Sequence, residues 1–546
     1  MRYRLTFFIT CTIFYSFGQY SKGDSLRGSI NENRSWWDVS HYTLEVQVDI
    51  PGRFIRGKNT IAFKTISPPK LMQVDLQDPL NIDSAVFHSV KCKWTHFYNA
   101  WNIELPGEVN TTDSLIVYYS GKPRAARFPP WDGGFIWKKD DKGRDWVGVS
   151  CQGLGASVWW PNKDHQYDEP DKGMDILITT PDSLTNISNG KLISKIQNRN
   201  KTITWHHRVI NPINNYDATI NIGKYVVVKD SFEGKNGRLA IEYAVLDYNK
   251  DKIESHLKKD TKDMLRSLEY WFGPYPFYED GYRLVETSYL GMEHQSAIAY
   301  GNKFKKGYLG TDRSKTGVGM LWDFIIIHES GHEWFGNNIT CSDNADMWIH
   351  EGFTTYSEVL FLESTHGKDT ANMYVIGLRK NIRNDVPVIG DYGVNKEGSG
   401  DMYDKGANMI HTIRQVINND SVFHNILLGL NEDFAKKSVS TKQIESYISE
   451  KSGRDFSPVF DQYLRTSNIP VFEYTVQKGK IVYRFTNCNT NFKMPLKIIT
   501  DKNEVLWLEV TKDKKEAKLP VQTKTVRVDY NFFILQKQGF TKNKQK

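Results

Sequence analysis

A chain of 546 residues, 39% hydrophobic and 13% aromatic, exceeds what one hydrophobic core can organise, so about three domains are expected. Its formal charge of +7 is small for that length, and 25% charged residues without low-complexity blocks exclude disorder and fibrous repeats. Nothing in the charge pattern points to nucleic acid.

The first residues pass from Arg2 and Arg4 into an apolar stretch, Leu5 to Phe17, and reach Ser16-Phe17-Gly18. This order is that of a secretory signal peptide, assigned here to residues 1–18. About thirteen apolar residues fall short of a bilayer span, and no other segment approaches one. The mature chain is therefore expected to be exported, periplasmic or secreted, with no stable membrane insertion; the alternative is an uncleaved N-terminal anchor. Cys92, Cys151, Cys341 and Cys488 are scattered without CxxC spacing. They are expected as isolated buried thiols, with two disulfides as the other possibility.

From about Tyr42 to Val226 apolar and polar residues alternate between frequent turns, as in Tyr42-Thr43-Leu44-Glu45-Val46-Gln47-Val48. Residues 30–227 are assigned to an N-terminal β domain. A helical pattern begins at Ile253–Phe272 and dominates to about Leu464, within a catalytic domain placed at 228–466. One helix opens at Ser440-Thr441-Lys442-Gln443, a capping-box sequence, and stops before Gly453. After Pro470 the alternation returns, predicting a short C-terminal β-sandwich over 467–536 and a disordered Lys-rich tail over 537–546.

The chemistry centres on His328-Glu329-Ser330-Gly331-His332, preceded by Asp323-Phe324-Ile325-Ile326-Ile327. Three isoleucines alone suggest a strand. Leu321, Ile325, His328, His332 and Phe335 instead share one helical face, which puts both imidazoles in reach of a single metal ion. Glu351, nineteen positions beyond His332, projects from a second helix that Asp343 or Asn344 caps and Gly367 stops. Two neutral imidazoles and one carboxylate leave zinc an open position, the ligand set of a catalytic site, with Glu329 placed to move the proton of an attacking water. Glu358, seven residues after Glu351, is either a brace for a ligand or an ordinary solvated glutamate.

HExxH, eighteen residues, then Glu resembles the zinc signature of the M1 aminopeptidases, the gluzincin group that includes leukotriene A4 hydrolase. His332-Glu333-Trp334-Phe335-Gly336-Asn337 and Trp348-Ile349-His350-Glu351-Gly352-Phe353 are similar to that family's HxWFGN and WxNEGF segments, and the likeness runs from about Ser40 to Val528. Gly291-Met292-Glu293-His294 looks like the exopeptidase motif GAMEN, which implies that Glu293 grips the substrate's free α-amine, with Gly291 and Met292 beside it. The likeness of Cys151-Gln152-Gly153 to a second amine-binding stretch nominates Gln152, and Tyr403-Asp404-Lys405-Gly406 resembles the segment whose tyrosine donates to the oxyanion. Leu290, Gly291 and His294 depart from the motif, and His350, in place of an asparagine, is expected to be packing.

The resemblance implies a multi-domain α+β protein: an N-terminal β domain, a thermolysin-like α+β catalytic domain and a short C-terminal β-sandwich. It implies one zinc per chain and hydrolysis of the N-terminal peptide bond of peptides with a free α-amine. Epoxide hydrolysis of a lipid and a non-catalytic scaffold are the rival readings. No tunnel signal supports the first, and intact Glu329, Tyr403 and Glu293 argue against the second.

Overall fold

The computed structural model describes residues 20–540; the expected signal segment, 1–18, lies outside the described residues, as do 541–546. Ser21 opens helix α1 (Lys22–Gly28) by exchanging hydrogen bonds with Asp24 in a capping box, and Asn31 caps α2 (Glu32–Ser35). The long strand Trp37–Asp49 then pairs antiparallel with Phe54–Thr65 and parallel with Met174–Pro181, at the middle of an eight-stranded sheet. Alternation along that strand sends Tyr42, Leu44, Val46 and Val48 into the core. A four-stranded sheet, which includes Asp145–Ser150, and a three-stranded sheet share that core with Trp159 and Trp160.

A five-stranded sheet begins at strand Tyr225–Gly234, so the boundary expected between 227 and 228 falls inside one strand. Its last members are Tyr282–Glu286, Ile298–Tyr300 and the edge strand Gly291–Met292. Against it pack α3 (Lys258–Phe272) and α4 (Phe324–Gly331), and α5 (Trp348–His366) lies on those two helices, followed by α6 (Lys368–Leu378), α7 (Asp404–Ile417), α8 (Asp420–Asp433), α9 (Thr441–Ser452) and α10 (Ser457–Leu464). Ser440 and Gln443 form the capping box of α9. The helices share one hydrophobic core with the C-terminal sheets, whereas Tyr289, Met292 and Ala299 cross into the N-terminal core.

The C-terminal sheets have four and three strands. Leu535–Gln538 runs parallel to Val471–Gln477, pairing Val471 with Leu535 and Tyr474 with Gln538. The chain thus stays in the sheet past 537, where a disordered tail was expected, because an open sheet edge supplies partners for its backbone. The four cysteines among the described residues are free thiols, three of them buried and Cys488 partly so. No helix among the described residues is long and apolar enough to cross a membrane.

One buried ion pair ties α2 to the loops around the catalytic cavity. Arg34 and Asp75 are fully enclosed, and Arg34 also donates to the carbonyls of Arg27 and Ser29. Asp75 accepts the N–H of Asp164, and Asp164 accepts from the backbone of Ala156 and Ser157, which fixes the turn after Gln152. Burial pushes the Asp75 carboxyl up and Arg34 opposes it, so removing Arg34 strands a buried acid. Arg34→Ala is expected to cost about 3 to 5 kcal/mol, read as a lower urea midpoint with an unchanged slope. A loss below about 1 kcal/mol would show that the pair does not behave as buried.

Candidate active site

Asp323 starts the metal-site helix. Its carboxylate accepts from Ile325 N at 3.1 Å and Ile326 N at 3.4 Å, and also from the Tyr300 hydroxyl at 2.7 Å. The isoleucines that follow are poor helix formers, but all three are buried, and packing outweighs propensity here. Because the cap sets the first turn at Phe324, Leu321 precedes the helix and is exposed, contrary to its expected place on the inward face. Gly331 ends α4 where a Cβ would sit 2.5 Å from Ser357 Oγ, so α4 and α5 meet closely. His332, the C-cap, keeps helical dihedrals and stays one turn below His328.

Glu351 enters from the first turn of α5, whose approach is set by Asp343 accepting from Ala345 N at 2.9 Å. Its Oε2 lies 3.5 Å from His328 Nε2 and 3.4 Å from His332 Nε2. These three residues bring one ligand atom each within 4.8 Å of one another. The opposite ring nitrogens are tied back: His328 Nδ1 lies 2.7 Å from Glu358 Oε1, and His332 Nδ1 lies 3.0 Å from the Phe335 carbonyl and 3.2 Å from Thr354 Oγ1. Glu351 Oε2 is buried without a hydrogen-bond donor. An unsatisfied buried carboxylate oxygen facing two aimed imidazoles fits a divalent cation. Burial raises the Glu351 carboxyl, but the imidazoles, His332 foremost, outweigh it and hold the group low.

Around this group the structure gathers the other expected residues. Gln152 Nε2 donates to Glu293 Oε1 at 2.5 Å, and the Tyr216 hydroxyl donates to the same oxygen at 3.1 Å. Asn337 Nδ2 donates to the Glu293 carbonyl at 2.8 Å. Gly291 leaves room that a side chain would take, since a Cβ there would lie 2.5 Å from Glu329 Oε1. Burial pushes Glu329 up to about 7, against the pull of His328. Met292 lines the cavity while its side chain belongs to the N-terminal core. The Tyr403 ring stacks near His328 at 6.0 Å, and burial, then Glu351, pushes its hydroxyl up, so it stays a donor.

All nine expected site residues line one cavity of about 420 Å³. Pro130, Trp131, Arg313 and Glu397 also line it, and none carried a sequence signal. Tyr216 went unnoticed too, since a lone tyrosine 77 residues from Glu293 has no motif around it. His294 is an uncharged packing residue, pushed down to about 3 by burial. His350 accepts the Cys341 N–H at 2.8 Å instead of joining the metal group.

Comparison with known proteins agrees with this arrangement. Residues 256–463, which hold the His328, His332 and Glu351 group, match the Peptidase family M1 domain. Those residues therefore resemble a family M1 peptidase domain. Among curated proteins it is 21% identical to Aminopeptidase M1 of Arabidopsis thaliana over 56% of this chain and 35% of that protein. It is 24% identical to Aminopeptidase B of Mus musculus over 54% of this chain and 46% of that one. The chain thus spans less than half the length of these two relatives. A mutant M1 zinc metallopeptidase of Deinococcus radiodurans bound to a Tyr-Ser-Ala substrate shares the fold, with a TM-score of 0.65 and 20% identity over 79% of this chain and 95% of that one.

The match to a family M1 domain gives Glu358 a definite test. Its Oε2 accepts from the Tyr374 hydroxyl at 2.6 Å, so the carboxylate is held to orient His328. Glu358→Gln is expected to weaken zinc affinity about ten- to a hundredfold in chelator competition, whereas Glu351→Ala loses the metal. Unchanged affinity would reduce Glu358 to a packing residue.

Proposed function

We propose that this chain is a zinc metallo-aminopeptidase that hydrolyses the N-terminal peptide bond of peptides with a free α-amine. The observation that carries the reading is a distance: carboxylate oxygens of Glu293 and Glu329 and a ring nitrogen of His332 lie within 4.8 Å of one another. An α-amine and the carbonyl carbon of its own residue are about 2.5 Å apart. An ammonium held by Glu293 therefore places the first peptide bond, and no later one, beside Glu329. The tripeptide in the Deinococcus radiodurans structure supports peptides as the substrate class, and the signal-like residues 1–18 support an exported enzyme.

His328, His332 and Glu351 would hold one zinc, which when bound supplies Lewis-acid polarisation and a more acidic water. Glu329 takes the proton of the attacking water and passes it to the leaving amine. Glu293 and Gln152 orient the substrate by its ammonium, and the Tyr403 hydroxyl donates to the oxygen on which charge develops.

Two measurements test this division of roles. A free-amine peptide should be shortened stepwise by mass spectrometry and its N-acetylated form left intact, and Glu293→Ala should lower kcat/KM about ten- to a hundredfold, the worth of a charge-assisted bond of about 1.5 to 3 kcal/mol. Internal cleavage of the acetylated peptide at a comparable rate would make the protein an endopeptidase. Tyr403→Phe should lower kcat about a hundredfold or more with little change in KM; a change confined to KM would leave Tyr403 a binding group only.

A further inference from the structure

Most charged side chains around the cavity already have a task or a partner. Glu351 belongs to the metal group, Glu293 is bonded to Gln152 and Tyr216, and Arg313 pairs with Asp404 at 3.2 Å. Glu329 stands against Gly291 as the proton carrier. Glu397 is different. It lines the cavity, it is exposed, and among the described residues no hydrogen bond or ion pair engages its carboxylate. The adjacent Lys396 does not neutralise it, because that ammonium lies over the Tyr20 ring at 5.5 Å.

The loop that presents Glu397 is pinned on both sides. Asn395 Nδ2 donates to the Gly153 carbonyl at 3.0 Å, and Asn395 Oδ1 accepts from Asn344 Nδ2 at 2.9 Å. Gly398 is pressed against the backbone at Val388, where a Cβ would sit 2.0 Å from the Val388 carbonyl oxygen, and Ser399 Oγ donates to Asp385 at 2.6 Å. A group held this way loses little freedom when it meets a ligand.

Its position follows from the same contacts. Gly153 adjoins Gln152, at the amine end of the cavity, and the loop runs on through Gly400–Met402 to Tyr403, at the oxyanion end. On the aminopeptidase reading the first residue of a peptide would lie between those ends, in the cavity whose wall includes Glu397. Glu397 is water-accessible yet stands among the cavity walls, and that enclosure, then the like charge of Glu351, pushes its carboxyl up. A cation would relieve both. Trp131, 70% exposed at the same cavity, adds an aromatic face of the kind that attracts cations.

We propose that Glu397 is a specificity-determining residue that favours substrates whose first residue carries a cationic side chain, arginine or lysine. This rests on the aminopeptidase reading of the same site, in which Glu293 already takes the α-ammonium and leaves Glu397 for the side chain.

Citrulline gives a clean comparison, because it matches arginine in length and lacks its charge. With the zinc-loaded protein, kcat/KM for the arginine reporter amide should exceed that for the citrulline amide about three- to tenfold. The dissociation constants of free L-arginine and L-citrulline, measured by calorimetry, should differ in the same direction. In Glu397→Gln both ratios should collapse towards one. A native ratio near one with brisk turnover overturns this inference alone. So does a Glu397→Gln protein in which both amides slow together and the ratio survives, since Glu397 would then hold the loop or the α-amine. Failure to hydrolyse any free-amine amide overturns the aminopeptidase reading, and this inference falls with it.

Discussion

A carboxylate oxygen with no proton donor, buried opposite two imidazole nitrogens at 3.4 and 3.5 Å, is the point around which this protein is built. Such an oxygen is costly to enclose unless a cation meets it. Keeping the three groups convergent demands that their helices approach closely, and glycines permit it. Gly331 lets α4 lie against Ser357 of α5, and Gly352, directly after Glu351, faces Gly406 of α7, where an added Cβ would come within 3.0 Å of the Gly352 Cα. The second contact explains why a glycine follows the ligand in one motif and the tyrosine in the other. Together they bring Tyr403, at the start of α7, alongside His328.

Outside the ligands lies a set of groups that fixes direction. Glu358 and Tyr374 orient His328, while the Phe335 carbonyl and Thr354 orient His332. Glu333 plays no part in the metal group. Buried and pushed up to about 8 by that burial, it accepts from Tyr275, Ser296 N and Asn337 and so locks the turn after α4 to the loop that follows Glu293. These bonds give His332 and Glu293 a common frame.

Local chemistry made much of this legible in the sequence. A four-residue spacing places His328 and His332 on one face, and a helical pattern stopped at Gly367 puts Glu351 on a helix, although Asp343 caps a short 3-10 turn, Asn344–Asp346, and α5 itself starts at Trp348. The strand alternation near Tyr42 and the capping box at Ser440 are read from the chain in the same way. Contacts over long separations left no such trace. Gln152 and Glu293 are 141 residues apart and were paired only through resemblance to a family, and the segments that bring Tyr216 to Glu293 and Glu397 to the cavity have no periodicity. Leu321 fitted the helical face by spacing, yet the Asp323 cap begins the helix after it, since a buried hydrogen-bonded cap overrides apolar periodicity. Lys537 and Gln538 read as the start of a polar tail because their pairing partners, Glu473 and Tyr474, lie more than 60 residues away.

Where the site counts from is settled by neither half of the protein alone. The metal group hangs on the core that the catalytic helices share with the C-terminal sheets, while Gln152 and Tyr216 come from the N-terminal β region. Glu293 joins them. Its carboxylate is held by Gln152 and Tyr216 on one side, its carbonyl accepts from Asn337 just beyond His332 on the other, and the preceding Met292 is anchored in the N-terminal core. A shift of about 1 Å between the two cores would therefore move the Glu293 carboxylate relative to Glu329, and misplacement on that scale is enough to forfeit much of the advantage of orientation. On the aminopeptidase reading proposed above, stepwise removal of single residues depends on the interface between cores as much as on the HExxH helix, and the buried bonds that cross that interface are the part of the fold that specifies it.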